Sequence, residues 1–197
     1  MKKQRTASIK RKTRETDIAV TINLDGAGKS KIETGIPFMN HMLELFARHG
    51  FFDLNVETVG DIEVDYHHTM EDLGLVLGEA IAKAAGDKTG IRRYGSCLLP
   101  MDEALAQIAL DLSGRPYLVY KVDPPATLIK DIDTALFREF FQALSVKAGM
   151  NLHITILSGS EVHHVFEAIF KGFAKALNLA VAIDPAIKGV LSTKGCL

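Results

Sequence analysis

The sequence predicts an α/β (α+β) protein made of two fused copies of a small β-β-β-α-β-α half-domain, residues 1–90 and 91–197, packed as one unit. Two observations carry this. Short period-two stretches alternate with longer stretches of helical period, and the element order and key polar residues recur after roughly 95 positions. In order, Arg5 to Lys12 alternates weakly, and Glu15 to Leu24 alternates clearly, with Ile18, Val20, Ile22 and Leu24 on one face. A turn at Asp25-Gly26-Ala27-Gly28 leads to a short strand from Lys29 to Thr34. Pro37 then opens an apolar helix that ends near Gly50, and Phe51 to Val59 returns to strand. From Tyr66 to Ala85 the apolar residues Met70, Leu73, Val76, Leu77, Ala80, Ile81 and Ala84 have helical spacing, stopped by Gly86.

The second half repeats this order. Glu103 to Leu112 is a strand ending at Ser113-Gly114, as Glu15 to Leu24 ends at Asp25-Gly26. Pro116 to Val122 reads as a strand, Ile132 to Ala148 as a helix, Asn151 to Leu157 as a strand and Val162 to Ala180 as the last helix. D-L-N-V at 53–56 aligns with N-L-H-I at 151–154, and H-H-T-M-E at 67–71 with H-H-V-F-E at 163–167. No linker composition separates the halves, so they are expected to pack together.

Composition excludes several classes. With 197 residues, 47% hydrophobic and 24% charged, the chain can bury a core, so it is neither collagenous nor wholly disordered. Cys97 and Cys196 lie too far apart for a disulfide framework or a paired metal motif, which points to a reducing, cytoplasmic setting. No apolar run suits a membrane span, and the N-terminus carries charge rather than a signal-peptide core. Seven cations (Lys2, Lys3, Arg5, Lys10, Arg11, Lys12, Arg14) and no acid occupy the first fourteen residues, leaving the rest at −8. Without interleaved aromatics, this arm reads as a solvated strand or a subunit contact rather than a nucleic-acid binder.

The chemistry is carried by histidine. Four of the seven form adjacent pairs, each opening a helix as H-H-x-x-E. The first histidine and the glutamate are one turn apart on one face (His67 with Glu71, His163 with Glu167). The adjacent His68 and His164 are rotated by about 100°. An imidazole and a carboxylate on one face supply two ligands for a divalent metal. The rotated histidine points to another ion or another subunit, so two copies imply two pseudo-symmetric sites. Imidazole and carboxylate without thiolate suit Mn²⁺, Fe²⁺, Zn²⁺ or Co²⁺. His41 is a further ligand candidate, or a half-buried core residue. His49 sits where a helix C-terminus would favour it, and His153, within a strand, reads as core or cross-strand. Arg92, Arg93, Arg115, Lys171 and the S-T-K-G run at 192–195 suggest an anionic substrate, most simply a phosphate monoester. Glu15, Asp102 and Glu103 begin equivalent strands and are candidate general acids or bases.

Several motifs in order, over essentially the whole chain, resemble the imidazoleglycerol-phosphate dehydratases of histidine biosynthesis. They are R-x-T-x-E-T at 11–16, P-F-M-N-H-M-L at 37–43, D-Y-H-H-T-M-E-D at 65–72, R-Y-G at 93–95 and P-M-D-E-A-L-A at 100–106. D-L-S-G-R-P at 111–116, N-L-H-I at 151–154, H-H-x-x-E-A-x-F-K at 163–171 and S-T-K-G at 192–195 complete the set. The resemblance implies a ribosomal protein S5 domain 2-like fold, a lyase with two Mn²⁺ per site, and a 24-subunit homo-oligomer whose sites lie between subunits. It implies metal ligands at His41, His67, His68, Glu71, His163, His164 and Glu167. Glu139, the repeat partner of His41, stands where many members carry a ligand histidine. Substrate contacts would be Glu15, His49, Arg93, Arg115, Lys171, Ser192 and Lys194, with a proton shuttled by Glu15 or Glu167 and Asp102 a further acid. The family's reaction removes water from a diol beside an imidazole ring. Metal on the ring nitrogens would favour an imidazolate that expels the hydroxyl and so acidifies an otherwise unactivated carbinol proton. Two other classes share parts of the pattern: a dinuclear phosphoester hydrolase and, by fold analogy alone, an RNA-binding module.

Overall fold

The computed structural model describes residues 5–195; Lys2, Lys3 and Cys196 lie outside them. The first half runs β1 (Thr6–Lys12), β2 (Thr16–Asn23), β3 (Ser30–Glu33), α1 (Pro37–Gly50), β4 (Asp53–Gly60) and α2 (His67–Ala85). The second runs β5 (Tyr94–Met101), β6 (Ala104–Asp111), β7 (Tyr117–Lys121), β8 (Leu128–Ile129), β9 (Ile132–Asp133), α3 (Leu136–Ala148), β10 (Asn151–Ser158) and α4 (Val162–Val181). Each half forms a four-stranded sheet of the same topology, β1-β2-β4-β3 and β5-β6-β10-β7, with the β3–β4 and β7–β10 pairs parallel. The registers repeat as well: Arg11 faces Ile18 as Leu99 faces Ala106.

Local sequence accounts for the elements. On β2, Ile18, Val20 and Ile22 are buried while their neighbours are half-exposed, as are Ala106, Ile108 and Leu110 against their neighbours on β6. Pro37 occupies the first turn of α1, where its missing N–H costs nothing, and Met39, Met42, Leu43 and Phe46 make its buried face. Gly149 ends α3 at φ 62°, a left-handed conformation that a side chain would strain.

Two elements differ from expectation. Tyr94–Met101 is a strand that the sequence pattern conceals, because it contains Gly95 and Pro100; as the sheet edge, β5 tolerates a proline that has no N–H to donate. The helix expected from Ile132 begins at Leu136 instead. Residues 128–133 form a hairpin turning at Lys130 (φ 56°), and the Asp133 carboxylate accepts the N–H of Ala135, so the chain turns before it coils. His153, on β10 between Ala109 and Val119, is exposed, so its role is not in the core.

Helices meet across the halves: α1 packs on α4 and α2 on α3, while each also covers its own sheet. The helices thus fill the middle and the sheets lie outside them. Phe46 of α1 stacks on Phe173 of α4 at 5.5 Å. Between α2 and α3 the backbones nearly touch, because a Cβ at Gly74 would lie 2.4 Å from the Phe140 carbonyl oxygen. This cross-packing brings a histidine of the first half to the motif of the second.

Candidate active site

Where α1 crosses α4, His41 Nε2 lies 2.8 Å and His163 Nε2 3.1 Å from Glu167 Oε1. Among the described residues these three form the one group of three or more His, Cys, Asp or Glu side chains whose ligand atoms all lie within 4.8 Å of one another. Lys171 Nζ donates to Glu167 Oε2 and lies 3.2 Å from Met101 Sδ. Phe38 sets its edge against His163, with ring centroids 5.1 Å apart. Burial alone would raise the Glu167 carboxyl, but hydrogen bonds from Lys171, His41 and His163 outweigh it and hold the group at about 2. His49, at the C-terminal end of α1, is held below the ordinary imidazole range by burial and then by the positive charge of Lys171.

In both motifs the adjacent rings part in the same way, with centroids 6.3 Å apart and planes at 82°. His67 lies 3.6 Å from Glu71. His68 Nδ1 instead donates to Asp61 Oδ2 at 3.0 Å, which raises its basicity. His164 Nδ1 meets Glu103 Oε2 at 2.9 Å, with Asp102 at 3.8 Å, and is raised for the same reason. Glu103 is held at about 2, first by that histidine and further by the N–H groups of Glu161 and Ser160. Glu139 joins neither group; its carboxylate pairs with Arg138 at 2.9 Å. Sequence reasoning missed Asp61, whose only signal was an acid shortly before the His-His pair.

Lys171 stays with Glu167 and Arg92 pairs with Asp184 at 3.3 Å, while the other predicted cationic residues gather elsewhere. Arg93, Tyr94, Arg115, Ser192 and Lys194 line a cavity of about 740 Å³. Arg93 is largely committed there: Nε and Nη2 donate to the Asp111 carboxylate at 2.6 and 2.9 Å, and Nη1 to the Leu191 carbonyl at 2.8 Å. Arg115 is exposed, and among the described residues its guanidinium has no hydrogen bond or ion pair. Four of the arm's seven cations pair with the chain's own acids. Arg5 pairs with Asp25, Lys10 and Lys12 with Asp17, and Arg11 with Asp72.

Residues 34–177 match the family model described as imidazoleglycerol-phosphate dehydratase. This chain belongs to the imidazoleglycerol-phosphate dehydratase family. A curated dehydratase of that name from Lachnoclostridium phytofermentans is 59% identical over 191 residues, covering 97% of each chain. One from Geobacter metallireducens is 54% identical over 193 residues, covering 98% of this chain and 99% of the relative. Among solved structures, the imidazoleglycerol-phosphate dehydratase of Staphylococcus aureus superposes with a TM-score of 0.83 at 37% identity, covering 91% of this chain and 99% of its own. That of Pyrococcus furiosus also gives 0.83, at 34% identity, covering 96% and 100%. The repeated half-domain fold is therefore that of the dehydratase family. Among the described residues no helix is long and apolar enough to cross a membrane.

Proposed function

We propose that this chain is a hydro-lyase that removes water from imidazole glycerol phosphate to give imidazole acetol phosphate, a step of histidine biosynthesis. The observation that carries the reading is the His41–His163–Glu167 group, assembled from both halves of a chain that belongs to this family. Two imidazole nitrogens and a carboxylate oxygen without thiolate fit a divalent ion such as Mn²⁺. In this reading His41, His163 and Glu167 hold one ion. His67, His68, Glu71, His164 and Glu139 supply the remaining donors to two ions per site, some toward a neighbouring copy in a 24-subunit cytoplasmic assembly. Residues 1–90 and 91–197 are the two structural repeats. When bound, the metal supplies Lewis-acid stabilisation of negative charge developing on the substrate.

The chain's own groups divide the remaining work. Arg115, Lys194 and Ser192 bind the phosphate, while Arg93, committed to Asp111, shapes the cavity wall. His49 and Lys171 lie by the His-Glu group as further substrate contacts. The proton to be moved sits on a carbon with no adjacent carbonyl, so a carboxylate must be both ionised and free to approach it. Glu167 is ionised but occupied by three donors. Asp102 lies beside His164. Glu15 is exposed, and among the described residues its carboxylate has no hydrogen bond or ion pair, which makes it the leading base.

The test is metal analysis of the purified protein, with an assay on imidazole glycerol phosphate with and without Mn²⁺. Metal-dependent ketone formation is expected. Release of inorganic phosphate without ketone would instead indicate a phosphoester hydrolase and overturn the reading.

A further inference from the structure

Two sequence motifs meet at a place the proposed reaction does not use. Asp72, buried on α2 one residue past Glu71, accepts hydrogen bonds at Oδ2 from Arg11 Nη1 (2.8 Å) and Thr16 Oγ1 (2.5 Å). Arg11 is near the end of β1 and Thr16 opens β2, so Asp72 grips both sides of the turn that carries Glu15. Within the turn, Thr13 Oγ1 accepts the N–H groups of Glu15 (3.1 Å) and Thr16 (3.0 Å). The Glu15 carbonyl accepts the N–H of Asp61 at 3.1 Å, and Asp61 is the carboxylate to which His68 donates. The backbone of Glu15 is thus fixed relative to the first histidine pair, while among the described residues its carboxylate makes no hydrogen bond or ion pair.

The second half is an internal control. By the shared register of the two hairpins and the alignment of the two His-His helices, the counterparts of Arg11, Thr16 and Asp72 are Leu99, Ala104 and Ala168. All three polar groups are replaced by apolar ones, and the same hairpin still packs on the same helix. Burying a paired charge returns little or no net stability compared with an apolar equivalent, so the fold alone does not require the network. The carboxylate at the turn is what differs. Glu103 is tied by His164 and by the N–H groups of Ser160 and Glu161, whereas among the described residues the Glu15 carboxylate has no hydrogen bond or ion pair and depends on its turn being held from beneath.

We propose that Asp72, acting through Arg11 and Thr16, is a positioning residue that holds the β1–β2 turn so that the Glu15 carboxylate is presented to the substrate. This rests on the dehydratase reading above, with Glu15 as base. Two variants test it. R11L/T16A/D72A copies the apolar trio of the second half, and D72N removes only the charge, should the triple variant fold poorly. In the metal-free protein, amide exchange at Glu15, Thr16 and Asp61 is expected to speed up tenfold or more while the core amides of α2 stay unchanged. In the Mn²⁺-loaded enzyme, kcat should fall fivefold or more, with KM and bound metal each within twofold of wild type. Unchanged exchange at those three amides overturns the proposal. So does a smaller fall in kcat, or a fall matched by loss of metal or of folded protein. If the wild type does not form ketone, the dehydratase reading fails, while the exchange result still judges whether Asp72 holds the turn.

Discussion

Arg93 and Arg115 line one cavity but are held so differently that truncating each should damage a different property. The Arg93 side chain is 11% exposed and donates twice to Asp111, itself 17% exposed, and once to the Leu191 carbonyl. Arg93→Ala leaves a nearly buried carboxylate without its partner, a change that costs about 3–5 kcal/mol of stability. It also releases Leu191, next to Ser192, so substrate binding should weaken as a secondary effect. Arg115→Ala removes an exposed guanidinium that makes no hydrogen bond or ion pair among the described residues, and stability should change by less than about 0.5 kcal/mol. If Arg115 meets the phosphate, one charge-assisted hydrogen bond of about 1.5–3 kcal/mol is lost, which raises KM about 10- to 150-fold. Urea unfolding and steady-state kinetics of both variants give the expected crossed pattern: Arg93→Ala unstable, Arg115→Ala stable but weakly binding. A KM for Arg115→Ala within twofold of wild type refutes its role as a phosphate contact. An Arg93→Ala protein as stable as wild type refutes the account of the Asp111 pair.

Glu167→Gln should lower the stability of metal-free protein, because the folded carboxyl at about 2 lies below its ordinary value of 4.5. That contribution is present above 4.5 and lost as pH falls toward 2. The difference between wild type and variant should therefore be about 3 kcal/mol at pH 7 and shrink to about 2 kcal/mol at pH 3.5, by unfolding at both pH values. A constant difference would show that packing, not charge, is responsible. Gly74→Ala would place a methyl 2.4 Å from the Phe140 carbonyl oxygen. The helix-propensity gain of about 1 kcal/mol should lose to a steric conflict of about 3 kcal/mol, for a net loss of about 2 kcal/mol, and a variant melting above wild type would contradict the close α2–α3 approach.

Sequence patterning revealed what is local and missed what depends on contact between distant segments. The alternation of Ile18, Val20 and Ile22, and of Ala106, Ile108 and Leu110, is local, so the inner strands were legible. An edge strand buries little and admits Pro100, and the close approach of α4 requires Gly95, where a Cβ would lie 1.8 Å from the Ala176 carbonyl oxygen, so β5 left no comparable trace. The hairpin at 128–133 was hidden because Ile132 matches the helical spacing that follows, while Lys130 and the Asp133 turn set the true boundary. At the site, the i,i+4 relation of His163 and Glu167 follows from helix geometry. The arrival of His41 does not, because it requires α1 of one half to cross α4 of the other. The commitment of Arg93 to Asp111 was equally hidden, since only the fold places a strand-end acid against it.

The perpendicular rings of each histidine pair bear on how a complete site is built. His163 turns toward His41 and Glu167, and His164 turns away to Glu103 and Asp102. An ion that prefers octahedral oxygen and nitrogen donors finds three of them in the first group. If the proposed assembly completes each ion's shell with donors such as His164 from a neighbouring copy, one site draws His163 and His164 from different chains. Co-assembly then distinguishes the two arrangements. His163→Ala and His164→Ala proteins, each inactive alone, should regain part of the Mn²⁺-dependent turnover when unfolded and refolded together, because some sites in the mixed oligomer receive both intact histidines. If both ligands of a site come from one chain, every site in the mixture lacks one of them, and the refolded mixture stays inactive. That result would rule out sharing of the two histidines between copies, while leaving the His41–His163–Glu167 group as a site within one chain.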